Sequence, residues 1–182
     1  MPNILIYMSD EHNPLYSSVY GNSRIKTPNM ERLAKKGTVF ENAYCPSPLC
    51  RPSRSAFMSG RPVHQVQAYN NCNVISSEYP TYGEILKDQG VYTGYAGKVD
   101  VYNQPDELGF SEMINDGDRT PPGDTNIKRK PLQIRKGSRK RAKGYGPREN
   151  PFEHDSKVIE KTIDWIKNTG KELDKSWTFT VN

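Results

Sequence analysis

Three short stretches of the sequence combine residue types that suit chemistry on anionic substrates. Cys50 is a nucleophile by type, and Arg54 follows it one helical turn later. Lys98 comes directly after a mostly apolar and aromatic run, where it can place a positive charge on an anion. Asp10 and Glu11 follow another apolar run, and oxygen ligands of this kind favour Ca²⁺ or Mg²⁺. Together these residues suit nucleophilic, metal-assisted hydrolysis of a negatively charged ester.

Each of these residues also has an ordinary structural explanation. A single cysteine is usually a small buried hydrophobic residue or a bystander, which is the interpretation we keep for Cys45 and Cys72. Asp10 can simply turn the chain after a strand, and Lys98 can be a solvated lysine at a strand end. Three cysteines, an odd number, are not typical of a disulfide scaffold.

The elements that must position these residues alternate between strands and helices. Asn3–Ser9 is a continuous apolar run, typical of a central strand in a parallel sheet. Further strands are predicted over Thr38–Tyr44, Val91–Ala96 and Trp177–Val181. Helices are predicted from Thr27-Pro28 to Gly37, from about Ser53 to Ser59, over Tyr82–Gln89, and from about Asp155 to Lys167 with Val158, Ile159, Ile163 and Ile166 on one face. The alternation predicts an α/β fold with a largely parallel central sheet flanked by helices.

Charge is distributed unevenly along the 182 residues, whose formal net charge is +5. Between Arg119 and Arg148 there are eleven Lys or Arg residues and one acid, Asp124, so the remainder of the chain is net acidic. We interpret the stretch at about 115–150 as a surface loop, a mobile segment or a rim facing a polyanion. Nucleic-acid binding is the less favoured alternative, because Tyr145 alone supplies aromatic interleaving.

Membrane and targeting signals are weak in this sequence. No stretch approaches the ~18 uninterrupted apolar residues of a membrane-spanning helix. Residues 1–10 lack the basic region and cleavage site of a signal peptide. The location therefore stays open between the cytoplasm and a periplasmic or secreted protein whose leader has been removed.

Three motifs carry a resemblance to a known family. Cys50-Arg51-Pro52-Ser53-Arg54 resembles the sulfatase signature C-x-P-S-R, and residues 90–98 resemble the second sulfatase signature, which ends in G-K. Residues 3–11 resemble the opening strand whose end supplies acidic metal ligands. With the three in the expected order, the chain is identified as a member of the formylglycine-dependent sulfatases of the alkaline phosphatase superfamily. It looks most like the arylsulfatase K type, which acts on sulfated uronates.

The resemblance implies a catalytic role for each motif. Cys50 would be oxidised to formylglycine by a formylglycine-generating enzyme, and the hydrated aldehyde would attack the sulfur of a sulfated small molecule or carbohydrate. Arg54 would hold the hydrate or the metal carboxylates, and Lys98 would bind sulfate oxygens. Asp10, Glu11 and the converted Cys50 would bind a divalent cation, which the family suggests is Ca²⁺, with Mg²⁺ possible.

Two further residues are candidates for substrate contact, His64, for which packing is the alternative, and Asp100, which can instead simply turn the chain. Asp100 stands where the family usually has the histidine of G-K-x-H, which leaves the leaving-group proton donor unassigned. The family's second metal pair would follow the strand Trp177–Val181 and is not in this sequence. We therefore expect residues 1–182 to be the N-terminal part of a sulfatase catalytic domain, with little activity alone. The alternatives are a phosphodiester or phosphonate monoester hydrolase on the same scaffold and an inactive polyanion-binding fragment.

Overall fold

The structure is a computed structural model that describes residues 2–71, 75–101, 108–114, 146–147 and 149–182. The chain divides into two compact units, one formed by Met1–Tyr7 with Pro46–Asn182 and the other by Met8–Cys45. Of the lysine- and arginine-rich stretch at about 115–150, the structure describes residues 146, 147, 149 and 150; Cys72 also lies outside the described residues. None of the described helices is long and apolar enough to cross a lipid bilayer.

The larger unit is built on a four-stranded sheet in which the strand order is β1-β4-β2-β3. The strands are β1 (Ile4–Tyr7), β2 (Tyr92–Ala96), β3 (Glu112–Ile114) and β4 (Trp177–Val181). Each adjacent pair is parallel, so the expected parallel α/β sheet is confirmed. β2 and β4 pair over five residues, from Tyr92 opposite Trp177 to Ala96 opposite Val181.

All four predicted helices are present, and the structure adds a short helix, α3, that was not predicted. In chain order they are α1 (Pro28–Ala34), α2 (Cys50–Ser59), α3 (Val63–Val66), α4 (Tyr82–Asp88) and α5 (Glu153–Trp165), with 3₁₀ turns at Pro14–Tyr16 and Ser18–Tyr20 and a π-helical turn at Ile166–Gly170 after α5. The side chain of Thr81 accepts a hydrogen bond from the amide of Glu84, which caps α4. Pro28 begins α1, where a residue without an N–H costs nothing.

Both faces of the sheet are covered by apolar side chains. On one face, Tyr95 of β2 joins a cluster that includes Met58 of α2 and Phe110. On the other face, Phe179 of β4 packs against Trp165 of α5 with ring centroids 4.3 Å apart. β2 contributes Tyr95 to the first cluster and Ala96 to the second, whereas the apolar side chains of β4 all join the second. All five residues of β4 and four of the five residues of β2 are buried, which is typical of strands inside a parallel sheet.

Three of the predictions about elements are wrong. Among the described strands β1 lies at an edge of the sheet rather than at its centre, and Ile4, Leu5 and Tyr7 are 50%, 49% and 69% exposed. Residues 38–44 form no strand, since no strand pairs with them and Phe40 is 69% exposed. The buried stripe of α5 consists of Val158, Thr162 and Trp165, while the isoleucines at 159 and 163 are exposed.

The carboxyl ends of β2 and β4 are joined by hydrogen bonds beyond the last strand residues. The amide of Asn182 donates to the carbonyl of Ala96, and the amide of Lys98 donates to the carbonyl of Asn182 at 3.1 Å. Gly97 lies between them with φ +91°, and a Cβ at this position would overlap the Asn182 carbonyl oxygen. Only glycine allows the chain to turn here without separating the two strands.

We predict that Gly97→Ala destabilises the larger unit by more than about 2 kcal/mol, because it combines positive-φ strain with a backbone overlap. Gly90→Ala is the matched control. Gly90, two residues before β2, also has a positive φ, +81°, but no atom lies within 4 Å of the position that its Cβ would occupy. The control should lose only about 1 kcal/mol. Urea denaturation of both variants measures the difference, and equal losses would contradict the prediction.

Candidate active site

The amino terminus of α2 carries the predicted nucleophile. Cys50 is the first residue of α2 and Leu49 is its N-cap in an extended conformation, so the helix begins three residues earlier than the predicted Ser53. Pro52 lies in the first turn, where a proline breaks no hydrogen bond within the helix. Cys50 is partly buried, and the positive end of the helix dipole faces it, which favours negative charge at this side chain.

Arg54 lies one turn further along α2, with only 5% of its surface exposed. Its guanidinium group donates to the carbonyl oxygen of Lys98 at 2.7 Å. The interaction ties the helix that carries Cys50 to the turn that follows β2. The predicted contacts of Arg54 with the hydrated aldehyde or with metal carboxylates stay predictions.

Asp100 lies beside Cys50 and forms an ion pair with Arg51 at 3.1 Å, both side chains being 17% exposed. Asp100 adopts a left-handed conformation with φ +49°, so it also turns the chain. The backbone amide of Arg51 donates to Oδ1 of Asn71 at 3.2 Å, and its guanidinium donates to the Asn71 carbonyl. Sequence reasoning missed this use of Arg51 and Asn71, because positions so far apart give no periodic signal.

The surroundings of Cys50 raise the pKa of its thiol. Partial burial is the largest cause, followed by the hydrogen bond to Asp100 and the negative charge of that carboxylate. The backbone amide of Arg51 and the positive charge of Lys98 act in the opposite direction. Because the raising effects prevail, the thiol is protonated at neutral pH.

His64 and the acidic pair have different positions in the structure. His64 is exposed on α3, in the same unit as Cys50, and its carbonyl accepts a hydrogen bond from Tyr69 at 3.3 Å. Asp10 and Glu11 belong to the smaller unit, where both are exposed in a turn and Glu11 has φ +54°. Cys45 is exposed rather than buried.

The predicted metal site receives no geometric test from these positions. Among the residues that the structure describes, no group of three or more His, Cys, Asp or Glu side chains is placed to hold a metal ion. Asp10 and Glu11 supply two carboxylates, which have the donor chemistry of a Ca²⁺ or Mg²⁺ site but are fewer than the 6–8 oxygens that Ca²⁺ takes. The set of Asp10, Glu11 and Cys50 stays a prediction.

Comparison with known proteins decides the family. The sulfatase family model matches residues 2–181. This chain belongs to the sulfatase family. Among curated sulfatases, the choline-sulfatase of Rhizobium meliloti is 38% identical over 114 residues, which cover 62% of this chain and 22% of that protein. The arylsulfatase K of Gallus gallus is 27% identical over 174 residues, covering 94% of this chain and 30% of that protein.

Solved structures show the same fold in a larger context. A protein in complex with its substrate D-glucosamine-2-N,6-O-disulfate matches with a TM-score of 0.70 at 24% identity, covering 98% of this chain and 33% of that one. The phosphonate monoester hydrolase of Agrobacterium radiobacter matches with a TM-score of 0.70 at 17% identity, covering 100% and 40%. The sulfatase chain described here therefore spans less than half the length of these relatives. The family generally uses formylglycine and a divalent metal.

The Asp100 carboxylate beside Cys50 leads to a prediction about the reactivity of the Cys50 thiol. In unconverted protein, Asp100→Asn removes the carboxylate that raises the pKa of Cys50, so the thiolate should appear at lower pH. The pH profile of iodoacetamide alkylation, resolved by peptide mass spectrometry, measures this shift separately from Cys45 and Cys72. Asp88→Asn, at the exposed end of α4, is the control and should leave the profile unchanged. An unshifted profile in Asp100→Asn would contradict the role of this carboxylate.

Proposed function

We propose that this protein hydrolyses sulfate esters at residue 50, with Lys98 as a cationic partner. The main support is the position of Cys50 in this sulfatase-family chain. Cys50 lies at the amino terminus of α2, close enough to Lys98 for the lysine charge to affect the thiol. A sulfate ester carries a negative charge that grows on its oxygens as the ester bond breaks. A fixed ammonium and a helix dipole aimed at those oxygens stabilise that charge.

The charges around residue 50 suit a singly charged ester. Lys98 and the helix amino terminus supply positive potential, while Asp100 is balanced by Arg51 at 3.1 Å. Arg54 adds another positive charge next to the Lys98 backbone. The balance is therefore net positive among these four side chains, which attracts an anionic substrate to residue 50.

Two groups complete the chemistry in this proposal. A formylglycine made from Cys50 by a formylglycine-generating enzyme supplies, once hydrated, two hydroxyls on one carbon, one to attack sulfur and one to release sulfate. A divalent cation, which we propose to be Ca²⁺, would supply Lewis-acid chemistry to the hydroxyl and to the sulfate group. Asp10 and Glu11 would bind this cation through their carboxylates, and further oxygen ligands are needed to fill its coordination shell.

We propose a sulfated carbohydrate or a small sulfate ester as the substrate. The relatives named choline-sulfatase and arylsulfatase K support the sulfate group, and the fold shared with a protein that binds D-glucosamine-2-N,6-O-disulfate makes a sulfated sugar reasonable. His64 is exposed on α3, which packs against α2, and we assign it a substrate contact. Asp100 is the second proposed substrate contact, since it lies beside residue 50.

The decisive experiment uses the full-length protein, made together with a formylglycine-generating enzyme. Intact mass spectrometry should show a deficit of about 18 Da at Cys50, and 4-nitrophenyl sulfate should be hydrolysed. Cys50→Ala should abolish turnover, and Lys98→Met should lower kcat by about 100-fold because a charge on the transition state is lost. Lys87→Met, on the exposed side of α4, is the matched control and should keep full activity.

The same assay separates the alternatives. Faster turnover of bis(4-nitrophenyl) phosphate than of the aryl sulfate would assign the site to phosphodiesters. Salt-sensitive heparin binding without turnover and without an aldehyde would indicate a polyanion-binding protein that lacks catalysis. Either result would overturn the proposed sulfatase activity.

The metal proposal predicts a cation dependence that residues of the smaller unit control. Asp10→Asn and Glu11→Gln should each weaken Ca²⁺ binding by at least about tenfold, because each removes a charged ligand. Glu31→Gln, which changes a partly exposed carboxylate on α1 in the same unit, is the control. Isothermal calorimetry with Ca²⁺ measures the affinities. Equal binding by all three variants would rule out the proposed ligands.

A further inference from the structure

Two backbone amides fix the turn that carries Lys98 to the sheet. The amide of Gly97 donates to the carbonyl of Ile114 at 2.9 Å, and the amide of Lys98 donates to the carbonyl of Asn182 at 3.1 Å. These two bonds attach the turn to the ends of β3 and β4. Neither bond uses the carbonyl of Lys98, so this oxygen needs other donors.

Two buried side chains supply those donors. The hydroxyl of Tyr95 donates to the carbonyl oxygen of Lys98 at 3.0 Å, and Nη1 of Arg54 donates to the same oxygen at 2.7 Å. The same guanidinium nitrogen is 3.5 Å from the Tyr95 hydroxyl, so the three groups form a closed triangle. One donor comes from β2 and the other from the helix that begins with Cys50.

The Tyr95 hydroxyl has little freedom to move. The residue is fully buried, and its ring packs edge-on against Phe110 with centroids 5.5 Å apart. Gly97 has the positive φ that places Lys98 within reach of a tyrosine only three residues earlier. A rigid donor of this kind fixes the plane of the peptide that follows Lys98, and with it the direction in which the lysine side chain leaves the backbone.

We propose that Tyr95 is a positioning residue for Lys98, acting with Arg54 through the Lys98 carbonyl oxygen. This inference rests on the proposed function, in which the Lys98 ammonium stabilises charge on the sulfate. A lysine side chain has four rotatable bonds, so fixing the orientation of its Cα–Cβ bond limits the displacement of the ammonium group from residue 50. Small displacements of a charge that acts on the transition state have large effects on kcat.

The test compares two tyrosines that pack on the same phenylalanine, Tyr95, which is fully buried, and Tyr82, which is partly buried. Tyr95→Phe removes the hydroxyl that reaches Lys98. Tyr82→Phe removes a hydroxyl that bonds to Thr180 Oγ1 at 2.6 Å, while its ring stays 5.1 Å from Phe110. In the full-length, formylglycine-containing protein, Tyr95→Phe should lower kcat for 4-nitrophenyl sulfate by about tenfold with little change in KM. Tyr82→Phe should leave kcat within about twofold of the parent protein.

A double-mutant comparison shows whether Tyr95 acts through Lys98. In a Lys98→Met background, Tyr95→Phe should have no further effect on kcat beyond about twofold, because the charge that it positions is gone. A tenfold loss that persists in this background, or an equal loss in Tyr82→Phe, would reduce Tyr95 to a structural role and overturn the proposal.

A second measurement does not depend on activity. Reductive methylation with ¹³C-formaldehyde gives each lysine an NMR signal, and the Lys98 signal is assigned by its loss in Lys98→Met. Tyr95→Phe should move that signal towards the position of exposed lysines, and Tyr82→Phe should not. A Lys98 signal unchanged by Tyr95→Phe would overturn the inference. Absence of turnover in the parent protein would overturn the proposed function instead and leave this readout decisive.

Discussion

The parallel pairing of β2 with β4 extends past the last residues of both strands, through the hydrogen bonds that join Ala96 and Lys98 to Asn182. Both strands are buried on both faces, so their relative register cannot slip without exposing apolar side chains. Lys98 is thereby held at a defined point of the carboxyl edge. Since α2 is attached to the same turn through Arg54, the position of Cys50 relative to Lys98 depends on this pair of strands.

The charged residues near Cys50 are linked to the backbone as well as to one another. Arg51 bonds to Asp100 and Asn71, while Arg54 bonds to the Lys98 carbonyl. Loss of any one side chain would therefore shift a segment as well as remove a charge. An arginine that donates several hydrogen bonds from a rigid plane suits this use better than lysine, whose ammonium is a mobile point charge. The two arginines of the motif thus tie the segments around Cys50 together, and Lys98 is a cation whose charge reaches the Cys50 thiol.

Local signals in the sequence predicted what depends on local chemistry. Thr81 caps α4 and Pro28 begins α1, because capping and proline geometry involve only neighbouring residues. The predictions of a strand at 38–44 and of a central position for β1 were wrong, because a strand needs a partner that its own sequence does not specify. β3 was not predicted because three residues are too few to show the alternating pattern of a strand. Its pairing with β2 defines it. The sulfatase motifs located Cys50 and Lys98, but the ion pair of Arg51 with Asp100 depends on a tertiary contact.

The environment of Cys50 is unlike that of a cysteine that attacks substrates as a thiolate. Reactive cysteines usually have electropositive surroundings that lower the pKa of the thiol. Here burial and the Asp100 carboxylate raise it, and they outweigh the helix amide and the Lys98 charge. Such surroundings favour a neutral side chain at residue 50 before substrate binds. The positive charge of Lys98 then stays available to an anionic substrate. Because the thiol is held in its neutral form, the surroundings of Cys50 do not favour direct attack by an unmodified cysteine thiolate.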